Sequence, residues 1–222
     1  DEEIGRIHQY AGCIPIDIKV TEEFLILDPQ LFTARESSLL RQLAIKGVSA
    51  YQRMVSWFFC GVKKRQVHVC KSLCSGADIM GDSRVQASQW TISMANGFNE
   101  WLLASPFVQV YSADNKACCV VKQSEYPLRH TEILSCYCQE GAIDQLNAII
   151  LKIVIDAKSR GASTIILKRF ASRSFPDSLT KILRKAGFLH KQSQLTCFVR
   201  SPNKYFLDSQ NLAYTQFFYT QF

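Results

Sequence analysis

Residues able to move a proton or attack a carbonyl crowd one short stretch of this chain: His130, Glu132, Cys136, Tyr137 and Cys138, followed by Gln139-Glu140-Gly141-Ala142. Proton transfer needs a group within roughly 3 Å of the atom it serves, directly or through one water. Tyr137 is the candidate for that role, weighed against the ordinary use of a strand-end tyrosine as a half-buried packing residue. Cys138 as a nucleophile would need a neighbour that favours its thiolate, and the adjoining sequence supplies neither histidine nor aspartate. His130 reads as a surface histidine, and His8, His68 and His190 are too far apart in sequence to suggest a triad.

Nine cysteines stand at 13, 60, 70, 74, 118, 119, 136, 138 and 197. An odd count with two adjacent cysteines in a strand-like run does not describe a disulfide framework. Cys70-x3-Cys74 with His68 nearby has a zinc half-site spacing, but the other close pair, Cys136-x-Cys138, lies along one face of a strand. Reduced cysteines acting as small hydrophobes are the expectation, and no metal is assigned. The formal net charge is +7, with local clusters at Lys63-Lys64-Arg65 and at Lys181, Arg184 and Lys185. No recognition motif or interleaved aromatics accompany them, so nucleic acid is not the expected partner.

With 222 residues and 47% hydrophobic content, the chain can bury a real core in one large unit or two small ones. No apolar run reaches the roughly 18 residues a spanning helix needs, and Asp1-Glu2-Glu3 is not the basic start of a signal sequence. A cytoplasmic protein is expected. Because periodic sequence begins close to Asp1 and an aromatic run ends at Phe222, the chain also reads as a fragment of something longer.

The elements that must hold these residues follow from periodicity. Residues 12–28 alternate as a strand, and about 33–46 form an amphipathic helix with Leu39, Leu40 and Leu43 inward, ended by Gly47. Residues 50–59 do not choose a period, 62–70 alternate, and the turn-rich stretch 74–83 divides the chain near residue 80. Beyond it come a helix over 89–104, a hairpin of 107–111 and 117–122 around Asp114 and Asn115, and a strand over 131–138. A helix over 143–160 ends at Gly161, a strand covers 163–167, and a helix from Phe175-Pro176-Asp177 to Ala186 ends at Gly187. Residues 188–200 and 214–222 are closing strands, the latter covered on both faces. A crossover from 131–138 to 163–167 makes those strands parallel within a mostly antiparallel sheet. The expected fold class is thus α/β, with a mixed sheet and flanking helices.

From about residue 85 onward this order resembles the acetyl-CoA-dependent N-acetyltransferase (GNAT) superfamily, including divergent members similar to peptidoglycan-bridge aminoacyltransferases. The resemblance rests on Trp101-x4-Pro106-x4-Tyr111, the hairpin, the glycine-ended long helix and Leu183-Arg184-Lys185-Ala186-Gly187-Phe188. Leu27-Asp28-Pro29 through Leu40 has the spacing of the same family's strand, proline, loop and helix, with Phe32, Thr33, Arg35 and Ser37 at its arginine and small-residue positions. Either a degenerate acetyltransferase-like unit over 1–80 precedes an acetyltransferase-like domain over 81–222, or the first pattern is a chance strand–proline–helix.

The resemblance implies that acetyl-CoA or another acyl-CoA is bound by Gln139, Glu140, Gly141 and Ala142, where a helix N-terminus offers N–H groups to pyrophosphate. Only one glycine remains there, and Glu140 sets negative charge against a negative ligand. The same residues also read as a plain helix start. Leu183 falls where the family places the tyrosine that protonates the departing thiolate, leaving Tyr137 as the substitute. Two functions follow: an acyl-CoA-dependent N-acyltransferase acting on an amine, or a catalytically inactive acetyltransferase-like scaffold that binds a protein partner.

Overall fold

The computed structural model describes residues 14–34, 36–59, 66–74, 98–125, 129–170 and 177–199. Among the described residues seven strands form a single sheet, ordered β2-β3-β4-β5-β6-β1-β7. They are β1 (Ile14–Ile26), β2 (His68–Cys70), β3 (Val108–Ala113), β4 (Ala117–Ser124), β5 (His130–Cys138), β6 (Thr164–Phe170) and β7 (Leu189–Val199). The helices are α1 (Pro29–Thr33), α2 (Leu39–Phe59), α3 (Phe98–Ala104), α4 (Ile143–Ser159) and α5 (Asp177–Lys185). Among the described residues only β5 and β6 pair in parallel. This mixed, mostly antiparallel sheet with flanking helices is the expected class and is consistent with an acetyltransferase-like α/β fold.

Strand alternation sends side chains to two cores. Tyr111, Ala113, Ala117, Cys119, Val121 and Ile133 meet the inner side of α4 and residues Leu179, Ile182 and Leu183 of α5. On the opposite face Val108, Val110, Cys118 and Val120 meet Leu102 of α3 and Cys74. Helix α4 supplies Leu146, Ile149, Ile150, Ile153, Val154 and Ala157 at the i, i+3, i+4 spacing that gathers one buried stripe.

Local chemistry sets several boundaries where expected. Asp114 and Asn115 take φ of 51° and 55°, and Lys116 N–H donates to Ala113 C=O at 3.0 Å, closing the β3–β4 hairpin. Helix α4 ends in a Schellman arrangement, with Ala162 N–H on Ala157 C=O and Gly161 N–H on Lys158 C=O. Helix α5 repeats it with Phe188 N–H on Leu183 C=O and Gly187 N–H on Arg184 C=O.

The first helical segment departs from expectation. Gly47 does not end a helix: α2 runs through it to Phe59 and takes in the ambiguous 50–59 stretch. One glycine costs about 1 kcal/mol in a helix interior, too little to stop a helix that Gln52, about one and a half turns further on, ties to β1. Leu39, Leu40 and Leu43 point outward, while Ser49 and Gln52 are buried. The strand expected over 62–70 is seen as His68–Cys70, and residues 60–65 lie outside the described residues. So do most of the 74–83 boundary, residues 89–97 of the expected helix, and the 214–222 strand. Strands from both sides of residue 80 enter the one sheet.

Candidate functional site

The two parallel strands are tied at one end and part at the other. At the tied end Ser163 N–H and Oγ–H both donate to Arg129 C=O at 2.7 Å, and Leu27 N–H donates to Ser163 C=O at 2.8 Å. Pairing then runs from His130 with Thr164 to Ile133 with Leu167. Beyond that point β5 stays with β4 as far as Cys138 opposite Ala117, while β6 stays with β1 as far as Phe170 opposite Val20. The sheet therefore opens between β5 and β6, leaving two facing backbone edges whose polar groups need partners from outside the ladder.

A bulge accompanies the opening. Val121 faces Ile133 but Val120 faces Ser135, so Leu134 is the extra residue. Strict alternation would put Tyr137 on the α4 side with Ile133. The bulge reverses this: Cys136 and Cys138 pack on the α4 side, and Leu134 and Tyr137 on the α3 side. Nothing in the sequence marks Leu134 as the bulged residue, so the face of Tyr137 was not legible from it.

Where β5 ends, Gln139 N–H donates to Lys116 C=O at 2.8 Å, holding the loop to the hairpin. Ala142 N–H donates to Gln139 C=O at 3.0 Å, a turn closed through Gly141 at φ +78°. Ala142 is the N-cap of α4 and makes no side-chain cap; the first helical bond is Leu146 N–H to Ala142 C=O. The helix thus begins without the side-chain acceptor that normally satisfies its first N–H groups. Glu140 and Gly141 are exposed, and a Cβ at Gly141 would meet no atom within 4 Å. Gln145 Nε2 donates to Asp114 Oδ2 at 3.2 Å, fixing this first turn to the hairpin tip. That positioning pair escaped the sequence reading, which used Asp114 only as a turn former.

All five expected site residues, Tyr137 and Gln139 to Ala142, thus fall at the one end of β5. Tyr137 is half-buried opposite Cys118, on the sheet face away from α4. Leu183 is fully buried in the α4-side core, so the position where the resemblance expects a proton donor is a packing position. Cys138 is half-buried, and burial, followed by the neighbouring Cys136, raises its pKa above the usual thiol value, which disfavours a resting thiolate. His130 and Glu132 lie on the tied side of the bulge.

The thiols pair with other groups. Cys119 Sγ donates to Cys136 Sγ at 3.1 Å, Cys70 Sγ donates to Ser72 C=O at 3.2 Å, and Cys74 Sγ lies 3.2 Å from Ser112 Oγ. Among the described residues no group of three or more His, Cys, Asp or Glu side chains is placed to hold a metal. No described helix is long and apolar enough to cross a membrane.

No family model matches this chain, and no curated protein matches it. Among solved structures it is similar to that of L-PGS from Bacillus licheniformis, at 12% identity and a TM-score of 0.42, over 96% of this chain and 70% of that chain. At that identity and TM-score the likeness adds nothing to the geometry above.

Proposed function

We propose that the protein is an acyl-CoA-dependent N-acyltransferase acting on an amine. The observation that carries this reading is the parting of β5 from β6 immediately before the uncapped start of α4. Two facing strand edges can hydrogen-bond the amide groups of the cofactor's arm, and the N–H groups at the start of α4 can receive its pyrophosphate. Open space at Gly141 permits close backbone approach, with Gln139 and Ala142 shaping the turn. The cofactor supplies an activated acyl thioester; the chain supplies alignment, and Tyr137 is the hydroxyl proposed to serve the departing group.

Glu140 and the first-turn Asp144 oppose an anion here. Binding is therefore expected to be weak and to tighten a few-fold in Glu140→Gln. Isothermal titration of parent and variant with acetyl-CoA and CoA tests this. Absence of both heat and thermal shift at millimolar ligand rejects the cofactor reading. The second reading, an inactive scaffold that binds a protein partner, is favoured by one observation: Leu183 is locked in the core, so α5 offers no proton donor at that position.

A further inference from the structure

Helix α2 presents its apolar side to the outside. Leu39, Leu40, Leu43, Tyr51 and Met54 are 69%, 79%, 57%, 52% and 56% exposed. Ala44, Gly47 and Ala50 are exposed beside them, and a Cβ at Gly47 would meet nothing within 4 Å. At 3.6 residues per turn these positions share one arc of roughly 140°, and no charged residue falls inside it. The inward side carries Ser49 and Gln52 instead, both buried.

The charge around that arc has one sign. Lys46 and Arg53 border it on one side and Arg41 on the other, all exposed, and α2 contains no Asp or Glu. Arg41 Nη1 also lies 3.6 Å from Glu36 Oε2, at the foot of the helix. From Ser37 to Ala77 the sequence has seven Lys and Arg and no acidic residue, leaving 19 basic and 19 acidic residues elsewhere. The whole formal charge of +7 thus resides in the segment bearing the exposed apolar helix.

We infer that this face of α2 seats the protein on an anionic phospholipid surface. The leucines, Tyr51 and Met54 enter the boundary between headgroups and acyl chains, and Lys46 at the edge of the arc reaches the phosphates along its aliphatic stem. A second copy is disfavoured, because antiparallel pairing about Gly47 brings the two Lys46 together with no acid in either helix to relieve them. The inference is independent of acyl transfer.

The full chain is tested by co-sedimentation with vesicles of phosphatidylcholine containing about one-third phosphatidylserine, against phosphatidylcholine alone, with light scattering in parallel. Binding is expected to the anionic vesicles only and to weaken with salt. The Leu40→Gln, Leu43→Gln, Met54→Gln triple variant should lose roughly tenfold or more in partition at an unchanged melting temperature, since these side chains are exposed. Lys46→Gln should lose roughly fivefold, and it decides the matter if the triple variant unfolds. The inference is overturned by absence of binding to anionic vesicles, by parental binding in these variants, or by a dimer that the triple variant dissolves without any vesicle binding. Capture of an acidic protein in place of lipid overturns it equally.

Discussion

Gly187 meets two demands at once. Its φ of +89° closes the turn from α5 into β7, and a Cβ there would stand 2.7 Å from the backbone oxygen of Gln52 in α2. Gly161 has a similar φ of +69° with nothing within 4 Å, so it isolates the conformational cost alone. Gly161→Ala should cost about 1–2 kcal/mol in urea unfolding, and Gly187→Ala clearly more, because backbone must move as well. Equal losses would show that α2 does not press on this turn. Both glycines were legible as helix stops; the pressure of Gln52 on Gly187 was not, since it arises only when α2 docks. Gly141 lies before the N-cap of α4 with φ +78°, so it shapes the turn and is not itself a helical residue. The buried thiols give a second prediction. Burial pushes Cys118 up to about 12 and Cys119 far above the usual thiol value, whereas an unfolded thiol ionises near pH 8.5. With the folded pKa above the unfolded one, their contribution is complete below about pH 8.5 and declines as pH rises towards 12, by up to about 1.4 kcal/mol per pH unit for each. Urea midpoints measured from about pH 8 to 10 should fall, and the Cys118→Ala, Cys119→Ala variant should show a shallower fall. An identical slope in that variant would assign the effect to other groups.

Among the elements, α2 is where sequence and structure diverge most, and Gln52 supplies the reason. Strand β7 pairs with β1 only as far as Leu189 opposite Phe24, so the last turn of β1 lacks a neighbour on that side. Gln52 fills the gap: its Oε1 accepts from Ile26 N–H and its Nε2 donates to Phe24 C=O, both at 3.1 Å, with the side chain fully buried. A glutamine needed inside turns the helix about its axis and carries Leu40 and Leu43 outward. Hydrophobic periodicity weighs apolar content only, so it placed the leucines inside and could not register a backbone edge that needs an amide. Gln52→Leu should cost about 2–4 kcal/mol by stranding both backbone groups, read from thermal or urea unfolding. A loss below about 1 kcal/mol would mean that water replaces the amide there. The β3–β4 hairpin is the contrasting case. Asp114 and Asn115 specify their own turn locally, and the strands on either side followed from alternation. The Leu134 bulge lies between these extremes, since the strand was visible in the sequence but its change of face was not.

At the scale of the whole molecule, the sheet depends on a strand from the far end of the chain. The long segment β1 lies between β6 and β7, antiparallel to both: Ile26 to Val20 pair with Thr164 to Phe170, and Ile14 to Phe24 pair with Val199 to Leu189. Neither β6 nor β7 pairs with the other among the described residues. Local patterning recognised each of the three strands but carries no information about which lies next to which, because that order is fixed by long-range closure. Removing residues 1–80 would expose one edge of β6, leave β7 with no described partner, and uncover the Leu25 contact in the α4-side core. A chain of 81–222 alone is therefore expected to lack a cooperative unfolding transition and to aggregate through its bared edges. Co-expression with 1–80 should restore a soluble pair, because β1 then contributes its pairing as a separate chain. Circular dichroism during thermal and urea unfolding of 81–222, with and without the first segment, makes the comparison. A single sharp transition in 81–222 alone would mean that the second segment closes its own sheet, with β7 moving beside β6 in place of β1.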